Sequence, residues 1–374
     1  MLLFLVFHGS YALAHLYLFF KIEGIFHIGK GPSLLIGVFL FIMAFSPMVI
    51  YFYSLRGRGG WLKGFAFLGY LWMGFMILFF FPSIFIDLYN FVVSVSGVLF
   101  KQDTNRLIFP SQLSFFIPFI TSVSLTTYGY FRAGSPVVKR IRIKTDKLPN
   151  GIDNIRVVQL SDMHLGIIVG EGLLDKVIEK IRGLNPDIIV STGDLIDGGI
   201  EHIQHLKDKL RSMDAPLGKF AIIGNHEFYT GIRRSQEFLE EVGFKVLRGE
   251  WVNVNGLINI VGIDDGEGKD MSFTTETEIL NTLPCENFTI LLKHKPEVDD
   301  KSIGLFDLQL SGHTHNGQIF PINIIVRLLF YPHSSYRELF HGSAIYVSGG
   351  VGTAGPPVRL FSQGEISVFE IQRA

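Results

Sequence analysis

Five short polar patches, each closing an apolar run, gather aspartate, asparagine and histidine in the numbers that two adjacent divalent metals need. They are Asp162-Met163-His164, Gly193-Asp194-Leu195-Ile196-Asp197, Gly224-Asn225-His226-Glu227, His294, and Gly312-His313-Thr314-His315. A two-metal centre requires one ligand that reaches both ions, which a carboxylate does well. Neutral imidazoles and a carbonyl oxygen complete the shells without accumulating negative charge. Ions about 3.5–4 Å apart can clamp a phosphoryl group and acidify a bound water to hydroxide. Any one patch arises easily by chance, and a histidine after a strand is usually a satisfied core residue. The signal is the ordered set.

Chemistry of this kind needs the patches brought to one edge, and the runs ahead of them are strand-like: residues 155–160, 187–192, 220–223, 288–292 and 307–310. In open α/β sheets, ligands collect at the carboxyl ends of strands. Residues 171–182 carry a helical stripe of Leu173, Leu174, Val177, Ile178 and Ile181, and Asn185-Pro186 ends it. Residues 201–213 and 233–242 read as further amphipathic helices. Residues 137–144 alternate apolar with basic side chains, as a half-buried edge strand does. Strands are also expected at 257–263, 344–347 and 366–371. The architecture is layered α/β, richer in strand towards the C-terminus.

The front of the chain belongs to a different solvent. A mean hydropathy of +0.35 and 35 phenylalanines in 374 residues are too apolar for an ordinary soluble enzyme. The excess lies in candidate spans near 2–20, 34–53, 65–86 and 113–131, each close to the roughly 20 apolar residues that cross a bilayer. The expected division is a transmembrane helical bundle at 1–135 and an α/β domain at 136–374. Residues 91–100 are apolar but short and read as an interfacial or re-entrant piece. A cleavable signal peptide is disfavoured, because the first span lacks a basic leading region and a small-residue cleavage site. Arg56, Arg58 and Lys63 follow span two, and Arg132, Lys139, Arg140, Arg142 and Lys144 follow span four. With four spans, this excess predicts that both chain ends, and with them the α/β domain, face the cytoplasm. His8 and His15 share one face of the first span and read as packed neutral histidines. The basic cluster after span four is expected on anionic head groups, with a plain solvated linker as the alternative. The single Cys285 fits a reducing compartment, and a net charge of −1 argues against a general nucleic-acid binder.

The ordered motifs resemble those of the calcineurin-like metallophosphoesterase superfamily, whose pattern runs D-x-H, G-D-x-x-D, G-N-H-[DE], H, G-H-x-H, over roughly residues 139–372. The resemblance implies a β-sandwich flanked by helices, with a dinuclear centre of two divalent ions (Mn, Fe or Zn) along one edge. Carried over by position, Asp162, His164 and His315 would hold one ion and Asn225, His294 and His313 the other, with Asp194 bridging. His226 would stabilise the transition state or protonate the leaving oxygen, and Asp197 would orient it. Leu-Ser-Asp-Met-His, Leu-Leu-Lys-His-Lys-Pro-Glu and Gly-His-Thr-His-Asn-Gly-Gln-Ile-Phe-Pro are similar to the membrane-associated bacterial YkuE/YaeI-like subgroup. The chain departs from that subgroup at Asn316, where glycine is usual, and at Ser348-Gly349-Gly350, where Ser-Arg-Gly is frequent.

Arg359 and Arg327 are candidate substrate contacts, and a structural surface arginine is the equal alternative for Arg359. Residues 320–340 are unusually apolar beside such a site: Ile324, Ile325, Leu328, Leu329 and Phe330 could meet lipid, with Arg327 and His333 near head groups. A helix packed on the domain explains the same stripe. The leading reading is an enzyme anchored in the phospholipid membrane, the bacterial inner membrane by this resemblance, hydrolysing a lipid-linked phosphodiester or pyrophosphate. UDP-diacylglucosamine, cleaved by some members of the neighbourhood, is the example. A hydrolase of soluble nucleotides or phosphoproteins with the membrane as mere address is the second reading. A non-catalytic membrane sensor or scaffold is the third, and the intact ligand set argues against it.

Overall fold

The computed structural model describes residues 2–55, 60–264, 275–330 and 334–374. Arg56, Arg58 and His333 lie outside them. Contacts divide the chain into two compact units, Met1–Tyr53 with Arg58–Tyr130 and Gly355–Val358, and Ser54–Gly57 with Phe131–Ala354 and Arg359–Ala374.

The first unit holds four helices long and apolar enough to cross a membrane: α1 (Leu2–Phe26), α2 (Lys30–Ser54), α3 (Gly60–Phe100) and α4 (Ser111–Ala133). One expected boundary changes. α3 runs unbroken through 41 residues, about 61 Å at 1.5 Å per residue, so residues 91–100 are continuous helix and not a separate interfacial piece. Its polar side chains are satisfied sideways. Asp87 accepts hydrogen bonds from Lys21 Nζ at 2.7 Å and Tyr17 Oη at 2.5 Å. Asn90 accepts from the backbone N–H of Phe109 at 2.9 Å and donates to its carbonyl at 3.1 Å. His15 is buried and fully engaged, with Nδ1 2.7 Å from the Tyr11 carbonyl and Nε2 2.9 Å from Trp72 Nε1.

The second unit is two packed six-stranded sheets. One contains β1 (Val137–Thr145), β2 (Asn154–Leu160), β3 (Ile188–Ser191), β4 (Lys219–Ala221), β5 (Lys245–Val246) and β12 (Glu365–Arg373), in the order β1-β12-β2-β3-β4-β5. The other contains β6 (Glu250–Val254), β7 (Ile258–Ile263), β8 (Phe288–Lys293), β9 (Leu308–Ser311), β10 (Ser335–Glu338) and β11 (Ala344–Val347), in the order β10-β11-β9-β8-β7-β6. Val157, Val190, Phe220, Ile260, Ile290, Leu310 and Phe369 form the core between them. The outer face of the first sheet is covered by α5 (Glu171–Leu184) and α8 (Ile232–Glu241), through Leu174, Val177 and Phe238. On the second sheet, α9 (Glu276–Leu280) packs Ile279 and Leu280 against Val261 and Leu291. Two faces covered on each sheet explain why the central strands are continuous apolar runs.

Two local expectations are corrected. Residues 201–213 are not one helix: 3-10 turns at Ile200–His202 and Gln204–Leu206 lead into a short α6 (Lys207–Arg211). Three of the four basic residues of β1 have partners in β12. Lys139 pairs with Glu365, and Arg140 and Arg142 reach Glu370 at 2.9 and 3.3 Å. The charge expected on head groups is therefore partly neutralised within the sheet.

Candidate metal centre

β2, β3 and β4 are parallel, with Leu160 level with Ser191 and Ser191 level with Ala221. β8 and β9 are parallel in the second sheet, with Leu292 level with Leu310. Each strand therefore delivers its polar patch a few residues past a common level. The five loops are then laced together by backbone bonds. Asp162 N donates to the Gly193 carbonyl at 3.1 Å, His164 N to Asp194 O at 2.9 Å, and Gly312 N to His294 O at 2.9 Å. Two further bonds use side chains: Asp194 Oδ1 accepts from His226 N at 2.9 Å, and Asp162 Oδ1 from His313 N at 3.0 Å.

This convergence forces unusual backbone. Asp162, His164, Asp194, His313 and His315 all have φ between 49° and 70°, a region costly for residues with a side chain. Such outliers persist where surrounding contacts over-determine them, and they cluster at functional sites. Close approach also fixes a glycine. At Gly193, φ is 89°, and an added Cβ would lie 2.8 Å from both Gly224 Cα and His294 Nδ1.

Seven side chains meet in two overlapping groups around Asp194. In the first, His164 Nε2 is 3.0 Å from His315 Nε2, and His315 Nε2 is 3.5 Å from Asp162 Oδ1. In the second, His294 Nε2, His313 Nδ1 and Asn225 Oδ1 lie 3.1–3.2 Å from one another. Asp194 Oδ2 stands between, 3.2 Å from His294 Nε2 and 3.9 Å from His164 Nε2. Asp162, His164, Asp194 and His294 are buried, while His313 and His226 are partly open.

The donor chemistry fits divalent ions. Burial, then neighbouring positive charge, lowers the imidazole of His164 to about 4 and that of His315 well below its usual value. The same two causes take His313 to about 4. These rings are neutral at pH 7. His294 Nδ1 lies 2.8 Å from the Thr192 carbonyl and donates to it. Its Nε2 faces the oxygens of Asn225 and Asp194 at 3.1 and 3.2 Å. Imidazole nitrogens, an amide oxygen and a carboxylate crowded at this distance form the mixed donor set that gathers around a divalent cation. Burial would raise the Asp194 carboxyl, but the imidazoles of His294 and His226 outweigh it and hold it well below the carboxylate range.

At the open side, His226 Nδ1 lies 2.8 Å from Asp197 Oδ1, and its Nε2 points inward, 4.0 Å from Asp194 Oδ2. Burial lowers this imidazole, yet the carboxylates of Asp197 and Asp194 prevail and raise it to about 9. Tyr229 flanks His226 at 5.6 Å between ring centroids, and Phe330 flanks His313 at 6.0 Å.

Not every expected site residue joins this cluster. Arg359 is 1 % exposed and bonds the carbonyls of Gly350 and Gly352, Ser362 Oγ and, at 3.3 Å, His315 Nδ1. The phosphate contact expected of it gives way to a structural role behind His315. Arg327 is exposed on α10 (Ile322–Leu329). Conversely, Glu227 was not foreseen as a working residue. It follows His226 in α7 (Asn225–Thr230), is fully buried, and accepts backbone hydrogen bonds from Asp194, Ile196 and Gly224 at 2.9–3.0 Å. One carboxylate thereby pins two of the five loops. The acid closing the Gly-Asn-His-Glu patch was the available signal.

Residues 155–317 match the calcineurin-like phosphoesterase family. The chain is 41% identical over 255 residues to an uncharacterized metallophosphoesterase of Aquifex aeolicus, covering 67% of this chain and 97% of that protein. It is 34% identical over 268 residues to YkuE of Bacillus subtilis, covering 66% and 90% respectively. A transmembrane protein with a metallophosphoesterase domain from Danio rerio is 32% identical over 270 residues, 68% of this chain and 62% of that one. The chain belongs to the calcineurin-like metallophosphoesterase family. It is a membrane protein and a metal-dependent phosphoester hydrolase with a dinuclear centre.

Proposed function

We propose that this enzyme hydrolyses a phosphodiester or pyrophosphate in a lipid-linked substrate, with UDP-diacylglucosamine as the working example. The observation that carries the reading is the union, in one chain, of four membrane-length helices with the seven-donor cluster. Only Gly134, Ser135 and Pro136 separate α4 from β1, so the catalytic domain, taken as residues 136–374, is tethered close to a bilayer. A substrate held in that bilayer is concentrated where the site can use it.

Asp162, His164, Asp194 and His315 would hold one ion, and Asp194, Asn225, His294 and His313 the other. Bound there, Mn, Fe or Zn supplies Lewis-acid polarisation of the phosphoryl oxygens and acidifies water for attack at phosphorus. His226 serves the leaving group. Asp197 fixes its Nδ1–H, which leaves Nε2 directed at the gap beside Asp194, where it delivers a proton to the departing oxygen. Tyr229 and Phe330 bound the opening on its two sides. The excess of basic residues after spans two and four supports a cytoplasmic orientation of this domain, at a bacterial inner membrane.

The test compares UDP-diacylglucosamine with a soluble aryl phosphodiester, using detergent-purified full-length protein, added Mn²⁺, and Asp194→Ala as blank. Strong preference for the lipid substrate is expected. Turnover of the soluble ester alone would reduce the helices to an anchor and overturn the lipid-linked assignment.

A further inference from the structure

Helix α10 is built inside out. Asn323 is 4 % exposed, whereas Leu328 and Leu329 are 81 % and 74 % exposed, with Ile324 and Ile325 close to half. At 100° per residue, Ile324, Ile325, Leu328 and Leu329 share one face and Asn323 lies opposite. The helix therefore rests on its domain through the polar residue and offers its apolar face outward. Its position is fixed, because Asn323 sits so close to Gly317, φ 72°, that any side chain there would strike its backbone. Gly317 belongs to the loop that carries His315.

A second element extends this surface. Phe361 is 72 % exposed and has φ 58°, a conformation that a bulky residue adopts only under constraint. Both neighbours are tied to the same loop: Leu360 N donates to the Gln318 carbonyl at 2.8 Å, and Ser362 Oγ to the His315 carbonyl at 2.6 Å. These ties hold the phenyl ring out, where it meets exposed Phe320 at 5.9 Å between centroids. Contiguous exposed apolar surface on a folded domain marks an interaction site.

We infer that the face formed by Phe320, Ile324, Ile325, Leu328, Leu329 and Phe361 is an interfacial membrane-binding element that dips into the lipid surface beside the metal centre. The occupant is a bilayer, because the same chain carries four helices of membrane length and only a three-residue link joins the last of them to this domain. Arg327, exposed on α10, suits head-group phosphates as interfacial helices use cations. The cap of α10, Phe330, touches His313, so insertion brings the site to the depth at which lipid phosphates lie. The inference rests on the membrane-spanning reading of the helices and not on the choice of substrate.

The test is a depth measurement on the full-length protein in phospholipid nanodiscs. Cys285, the only cysteine, is replaced by serine. Single cysteines are introduced as Leu328→Cys, Phe361→Cys and, for a water-facing reference, Arg233→Cys, whose side chain is 91 % exposed. Each carries a nitroxide, and its collisions with oxygen and with a water-soluble nickel chelate are measured. Labels at 328 and 361 are expected to favour oxygen several-fold over the chelate, with the reverse at 233. Chelate access at 328 equal to that at 233 would overturn the inference. So would shielding from both reagents, which marks a protein partner or a second copy. Because Leu328 and Phe361 are largely exposed, their replacement leaves the fold intact, and metal content of each variant verifies this.

Discussion

Seven donors converge here because single side chains hold the loops that carry them, and Glu227 is the clearest case. Its carboxylate accepts three buried backbone N–H groups from two loops. Glu227→Ala strands those donors, at about 1–3 kcal/mol for each one left unsatisfied. Asp194 and Asn225 would lose their fixed spacing. The expected result is reduced bound metal, measured by elemental analysis, together with a lower unfolding temperature. Normal metal content in the variant would show that the loops hold without it. His226 sits in the same patch and should behave in the opposite way. His226→Ala is expected to lower kcat by about 10²–10⁴-fold while metal content stays at the level of the parent. Asp197→Asn should follow His226→Ala in direction, since the pair acts through one hydrogen bond at 2.8 Å. These two residues separate holding a metal from moving a proton.

At the scale of elements, the site depends on parallel strands ending level and on loops that nearly touch. Gly193→Ala tests this directly. An alanine there carries an unfavourable positive φ, worth about 1–3 kcal/mol, and drives its Cβ into Gly224 and His294. Far-UV circular dichroism should remain that of the parent while metal binding falls, because the sheets lie outside the clash. Loss of the sheet signal would place the defect in folding instead. Strand ends of this kind are legible in a sequence, since an apolar run followed by a short polar patch records both burial and the point where burial stops. Partners distant in sequence are not. Residues 201–213 read as one amphipathic helix, and Ile203, Leu206, Leu210 and Met213 are buried, but 3-10 and α turns space such a stripe almost alike over so few residues. Residues 91–100 read as a piece separate from the span at 65–86, whereas Lys21, Tyr17 and Phe109 satisfy Asp87 and Asn90 between them and the helix continues. For α10, the apolar stripe was visible, but not its outward direction. That is decided by Asn323 against Gly317.

For the whole molecule, two solvents imply two sources of stability. The helical unit cannot gain from burying apolar side chains away from water within the bilayer, so its specific contacts carry more weight. The Lys21–Asp87 pair is one of them, with Lys21 9 % and Asp87 40 % exposed at the side chain. Asp87→Leu leaves the Lys21 ammonium without its anion. The expected cost is about 1–3 kcal/mol, below that of a fully buried pair because Asp87 is partly open. Combining it with Lys21→Met should recover most of the loss, since matched apolar replacement of an ion pair is often neutral. The catalytic unit draws instead on its ions. A ligand at 100 times its dissociation constant stabilises the state that binds it by about 2.7 kcal/mol, and a chelator removes that contribution. Calorimetry on the detergent-solubilised protein should therefore resolve two transitions, as multi-domain chains often show. The chelator should lower one and leave the other unmoved, and Asp87→Leu should do the converse. If either perturbation moves both transitions together, the two units fold as one cooperative body, and mutations in the spans would then also reach the metal centre.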